Sequence, residues 1–190
     1  MLTSNKTLAK IEKIKKQYEK LRYYKIKNIS VKMFETTKHY RKKPSISKDK
    51  WQKVKKGTEW GEEWSSAWFK GEVTLSDKSA GEPVYVRAKT GARETLFFVD
   101  GKPKGGFDSN HREVLLTSEG KEGDTYNLSF EAYAGHAYQP SHPYNEPATF
   151  SGPCIFDGIE MVLERKEVSN FVFDLKALIS LKNALGDNSL

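Results

Sequence analysis

Apolar positions along this 190-residue chain change their period twice. From Ser4 to Arg22, Leu8, Ile11, Ile14, Tyr18 and Leu21 recur at spacings of three, three, four and three, which puts them on one face of a helix. Lys and Glu fill the opposite face. Ser4 suits the N-cap position, although Thr7 stands where a capping box needs Glu or Gln. The β-branched content of Lys25 to Phe34 then favours a short strand. Lys38 to Lys50 is a charge run broken by Pro44, and it reads as a loop or linker.

At Trp51 the pattern shifts to short apolar runs punctuated by Gly, Pro, Asp and Ser, and it continues to Glu167. Strands are predicted at 68–75, 83–88, 95–99, 114–117, 125–134 and 159–164. The lack of a helical pattern between them argues against a parallel α/β sheet, and a mainly β, antiparallel β-sandwich is expected. In WFKGEVTL the alternation assigns Phe69, Gly71, Val73 and Leu75 to the core. Tyr126, Leu128, Phe130 and Ala132 alternate in the same way. Beyond Ser169, a candidate N-cap, Phe171 to Leu185 returns to helical spacing and Gly186 supplies a stop. The expected plan is a basic helix, strand and linker over 1–50, a sandwich over 51–168 and a C-terminal helix over 169–190.

The most informative stretch is Thr95 to Thr117. Leu96 to Val99 and Val114 to Leu116 form apolar strands around a turn-rich segment. Asp100-Gly101 supplies the positive φ angles of a tight hairpin, and Pro103 follows with a fixed φ. Gly105-Gly106 is expected to add a second bend. Asp108 to Glu113 then forms a polar loop at a sheet edge, where function tends to lie.

The net charge of +7 invites a nucleic-acid reading, but its distribution weakens it. Residues 1–50 carry 16 Lys and Arg against 4 Asp and Glu, whereas the remaining residues carry 16 against 21. The body of the chain is therefore mildly acidic, and the basic helix lacks an aromatic platform or known nucleic-acid motif. No apolar run reaches membrane-spanning length, and the N-terminus lacks a secretory core. With the single Cys154 unable to form an internal disulfide, a cytoplasmic location is expected.

Candidate chemistry is sparse. His39, His111, His136 and His142 belong to no HExxH or cysteine–histidine zinc pattern, so no cofactor or metal is expected in this chain. GKPKGG lacks the spacing of a phosphate loop, and no GxSxG occurs. Glycosidases need two facing carboxylates about 5 to 10 Å apart. Asp100, Asp108, Glu113, Glu131 and Asp157 lie near turns or strand ends, but spacing selects no pair. Tyr133, His136, Tyr138, His142 and Tyr144 crowd a proline-broken segment where aromatic rings either pin the loop or stack on a sugar. Trp60, Trp64 and Trp68 stand four apart, yet Gly61 and the following strand favour a loop whose tryptophans cover one end of the sandwich.

In order along the chain, Trp60-Gly61, Ala67-Trp68-Phe69, Glu72-Val73, Phe98 to Pro103, Asp108 with Asn110 to Val114, and Glu131 to His136 form a series that resembles the family 38 α-mannosidases. The resemblance covers roughly Trp51 to Leu190, including the DLKAL helix, and is to the domain that precedes the catalytic barrel. It implies a galactose-binding-like sandwich or jelly roll. In that family, zinc and an aspartate nucleophile for retaining hydrolysis of α-mannosides reside in a separate downstream domain. Its His-x-Asp motif is absent, because the four histidines are followed two residues later by Arg41, Glu113, Tyr138 and Tyr144. The chain is therefore expected to be an inactive front portion, with its helical pattern breaking off before a catalytic domain.

Two roles are compatible with this resemblance. One is structural: the sandwich docks on the catalytic domain of the same enzyme or of a separate chain. The other is a carbohydrate-binding module for mannose-containing glycans, with Asp108, Asn110, His111, Tyr133 and His136 meeting sugar hydroxyls and Tyr138 or Tyr144 stacking. Self-association into a homo-oligomer is a further expectation. Membrane partners are not expected, and nucleic acid ranks last.

Overall fold

A computed structural model describes residues 2–38, 40, 44–137 and 152–185. The chain divides into two compact units, Met1–Tyr24 with Leu163–Leu190, and Lys25–Val162. The first holds the helices α1 (Leu2–Glu19) and α2 (Lys166–Leu185). Tyr18 meets Phe171 edge-on at 4.9 Å between ring centroids, and Lys176 pairs with Glu19 at 3.0 Å. Arg22 ties the helix to its partner by donating from Nε to Ser169 Oγ at 3.1 Å. Neither serine is a cap. Ser4 lies inside α1, and Ser169 lies inside α2, donating its N–H to Arg165 O at 2.9 Å. Helical geometry begins three to four residues earlier than the side-chain signals suggest, and Ser169 is used as an acceptor for Arg22 instead. Gly186, the expected stop, lies outside the described residues.

The sandwich is built from β1 (Tyr23–Asn28), β2 (Val31–Thr36), β3 (Gln52–Lys53), β4 (Thr58–Trp60), β5 (Ser66–Thr74) and β6 (Val84–Lys89). It continues with β7 (Glu94–Val99), β8 (Lys102–Phe107), β9 (Glu113–Thr117), β10 (Thr125–Tyr133), β11 (Cys154–Phe156) and β12 (Gly158–Glu164). A six-stranded sheet runs β3-β2-β5-β10-β7-β8, a four-stranded sheet runs β1-β12-β6-β9, and β11 pairs with β4. The strand pairing is antiparallel throughout the large sheet. The expected mainly β sandwich with a helix near each end is therefore the fold.

Sheet pairing starts upstream of the composition change at Trp51. One chain segment supplies a strand to each sheet: β1 joins the small sheet, Ile29 donates its N–H to Ile159 O at 2.8 Å, and β2 enters the large one. The turn at Ile29-Ser30 presses so close to β5 that a Cβ on Gly71 would lie 2.5 Å from Ser30 O. Gly71 therefore permits the crossover rather than merely alternating with core residues.

The core is a ladder across five strands. Met33 pairs with Phe69, Phe69 with Phe130, Phe130 with Phe97, and Phe97 with Gly105. Phe97 and Phe130 stack at 4.9 Å with 13° between their planes, and the aromatic members are fully buried. Gly105 ends the ladder without a side chain because Val114 of β9 packs there, 2.8 Å from where its Cβ would stand. Gly105-Gly106 is thus not a second bend but part of the edge strand β8, which tolerates Pro103 and glycine because one side of it is unpaired.

The Asp100-Gly101 hairpin is as predicted, with φ of 50° and 79° and Val99 opposite Lys102. The inward set of β5 needs a correction. Phe69 and Val73 are buried, yet Trp68 on the opposite face is also only 1% exposed. It stacks on Phe98 at 5.9 Å between centroids. Alternation fails where both faces of a strand are covered.

Candidate functional site

Strand register gathers the described site candidates on one rim of the large sheet. Tyr133, closing β10, pairs with Ser66 at the start of β5 and with Glu94 at the start of β7. Phe107, closing β8, pairs with Thr95. Asp108 to His111 and Tyr133 to His136 therefore leave the same end of the sheet, two strand spacings or about 10 Å apart. Tyr138 and Tyr144, the proposed stacking residues, lie outside the described residues, as do His39 and His142.

The Asp108 loop is closed on itself. Asp108 Oδ1 accepts from the backbone N–H of Asn110 at 2.6 Å and of His111 at 2.7 Å, and Asp108 N donates to His111 O at 3.1 Å. His111 Nδ1 lies 3.0 Å from Asp108 Oδ2. The His111 hydrogen bond, aided by the two backbone donors, lowers the Asp108 carboxyl to about 2. Both side chains are exposed. This is an ordered Asx-type turn beside a shallow hollow of about 550 Å³ floored by Gly105 and Gly106.

The second cluster contains a residue assigned to packing from sequence. Trp64 is 54% exposed and stacks on His136 with 4.4 Å between centroids and 11° between planes. Its backbone has a positive φ of 65°, costly for a bulky residue. The loop is held there from several sides. Trp64 N donates to Gly135 O at 2.8 Å, Ala134 N to Ser65 O at 3.0 Å, and Ala137 N to Glu63 Oε1 at 2.7 Å. The Tyr133 hydroxyl meets His136 Nδ1 at 2.9 Å. Burial, then the Glu63 charge, raises the Tyr133 phenol above its usual value, so it stays a neutral hydrogen-bonding group at ordinary pH. Trp60 and Trp68, by contrast, are core residues. The signal for Trp64 was its setting: Glu62, Glu63 and Ser65 surround it, whereas Trp68 sits in an apolar strand.

Three of the other candidate carboxylates are committed elsewhere. Asp100 Oδ1 accepts from Asn127 N at 3.0 Å, Glu113 pairs with Arg87 at 2.6 Å, and Asp157 pairs with Lys56 at 2.6 Å, which lowers the Asp157 carboxyl. Among the described residues, no group of three or more His, Cys, Asp or Glu side chains is placed to hold a metal ion. No described helix is long and apolar enough to cross a membrane.

Comparison with solved structures gives a likeness to a calcium-binding mutant of Bacteroides uniformis β-glucuronidase 2, with a TM-score of 0.50 and 14% identity over 74% of this chain. A β-glucuronidase from Ruminococcus gnavus in complex with uronic deoxynojirimycin gives a TM-score of 0.46 at 7% identity over 75% of this chain. The chain spans only 18% and 29% of those proteins' lengths, and at such identity the first likeness concerns the fold alone. No curated protein sequence matches the chain. The profile of the family described as alpha-mannosidase, jelly roll domain, matches residues 24–175. That match takes in β2 to β12 and the first half of α2, so the chain belongs to the α-mannosidase jelly roll domain family.

Proposed function

We propose that this jelly roll is a non-catalytic docking domain that packs beside the catalytic region of a family 38 α-mannosidase, the zinc-dependent retaining hydrolases of α-mannosides. The observation that carries this reading is on α2. Phe173, Leu178, Leu181 and Leu185 are 71%, 61%, 55% and 56% exposed, an apolar set more extensive than isolated surface residues require. The absence of His-x-Asp anywhere in the chain supports a non-catalytic role. In a co-purification with the separately expressed catalytic region, the wild-type chain should be retained, and the folded Leu178→Asp/Leu181→Asp variant should be lost. Failure of the wild-type chain to associate, or hydrolysis of an aryl α-mannoside by this chain alone with zinc or cobalt, would overturn the reading.

The Trp64–His136 stack favours a second reading, a sugar-contact rim, since an exposed indole offers a stacking face beside the Tyr133 hydroxyl. A mannose titration followed by NMR tests it. Shifts confined to Trp64, Tyr133, His136 and the Asp108 loop support sugar contact; none rejects it.

A further inference from the structure

Another concavity of the sandwich lies away from that rim. It is a cleft of about 920 Å³, lined by seven lysines against Glu72, Asp157 and Glu160. Three of the lysines share two carboxylates within it. Lys56 pairs with Asp157 at 2.6 Å, while Lys89 and Lys25 lie 3.5 and 3.9 Å from Glu160. Lys32, Lys53, Lys55 and Lys70 lie along the other wall. Lys53, Lys32 and Lys70 are direct cross-strand partners on β3, β2 and β5, and Lys55 follows β3 at the same wall. Directly opposed side chains share a sheet face about 5 Å apart, where like charges destabilise each other. Lys70 is drawn over the Trp51 ring, 3.9 Å from its centroid. Among the described residues, Lys32, Lys53 and Lys55 have no carboxylate within ion-pair distance.

Lysines on an edge strand can serve simply to block edge-to-edge pairing. That purpose would account for Lys53 on β3 but not for Lys32 and Lys70 on interior strands, nor for a concave wall of amines. We propose that this cleft binds a compact oligophosphate, a small molecule bearing two or more phosphate groups. Its charges would bridge the opposed amines of Lys32 and Lys53, with Lys55 and Lys70 flanking and the Ser30 hydroxyl and Asn28 amide as neutral donors. The volume suits a small ligand. A nucleic-acid strand would need a row of stacking aromatics, and Phe156, the aromatic residue of the lining, is buried.

The test is calorimetric titration of the full chain with sodium tripolyphosphate at low salt. One saturable site is expected, weakened at least tenfold in Lys32→Ala/Lys53→Ala and unchanged in Lys102→Ala/Lys104→Ala, whose side chains lie outside the cleft. Without ligand, the first variant should unfold at the wild-type temperature or above it, because a like-charge opposition has been removed. This separates lost binding from lost folding. Fructose 1,6-bisphosphate as a second probe distinguishes sugar-borne phosphates, if it binds the same site more tightly, from a contiguous phosphate chain, if it binds less tightly. The proposal is overturned by unsaturable binding, by equal loss in both variants, or by tighter binding of a single-stranded oligonucleotide than of tripolyphosphate. None of these results depends on docking by α2.

Discussion

Trp64 lies flat against His136, with 4.4 Å between ring centroids, while its own backbone holds a positive φ of 65°. An exposed, backbone-strained indole is presented outward by hydrogen bonds from both sides of its loop. Trp64→Ala should return the His136 ring-proton resonances toward unshielded positions, while global stability in urea changes by no more than about 1 kcal/mol, because little buried area is lost. A larger loss of stability would make Trp64 a packing residue after all.

Two buried tryptophans should respond differently to the same substitution. Trp60 Nε1 donates to Thr90 O at 2.7 Å, whereas the Trp68 indole N–H has no hydrogen-bond partner among the described residues. Trp60→Phe removes a donor from a buried carbonyl, and Trp68→Phe removes only an unsatisfied polar group. Urea unfolding should show Trp60→Phe to be the more damaging by about 1–3 kcal/mol. Equal costs would mean that shape, not the hydrogen bond, decides both sites.

Gly71→Ala tests the crossover at Ile29-Ser30. Its new Cβ would stand 2.5 Å from Ser30 O and 2.9 Å from Val31 Cγ1, so backbone must move. A loss of about 1–3 kcal/mol is expected in chemical denaturation. By contrast, Gly123→Ala meets nothing within 4 Å and carries only the strain of its φ of 88°.

The Asp108 carboxyl sits at about 2 in the folded chain against 3.8 for an unperturbed group. A folded value below the unfolded one means that the loop's hydrogen bonds contribute stability above pH 3.8 and lose it as pH falls toward 2. His111→Ala removes the largest cause, so carboxylate NMR should find Asp108 moved up toward its ordinary value. No movement would assign the shift to the backbone donors of Asn110 and His111 alone.

The DG hairpin was legible because Asp100 and Gly101 are residue types that accept positive φ, a local demand with a local signature. The six long strands were legible for a similar reason, since their apolar runs are bounded by turn residues. β8 was not, because Lys-Pro-Lys-Gly-Gly-Phe has a loop's composition and is made a strand by Phe97 and Val114 pressing on Gly105. Trp68 escaped because burial on both faces erases alternation. At the rim, Asp108, Asn110, His111, Tyr133 and His136 were found as residues, but register alone brings the two groups to one sheet end. The lysine cleft had no sequence signal: its amines come from separate strands and connecting loops.

The crossover at Ile29-Ser30 also decides where this fold can be cut. A polypeptide begun at Trp51 would keep most of the sandwich's aromatic residues but lose both strands contributed by residues 23–36. β5 would then carry a bare row of N–H and C=O groups alongside Trp68 and Phe69, and β12 would be uncovered on the flank now occupied by β1. Two open flanks on apolar strands are templates for chain-to-chain pairing. Shortened at that point, the protein would precipitate rather than simply lose stability.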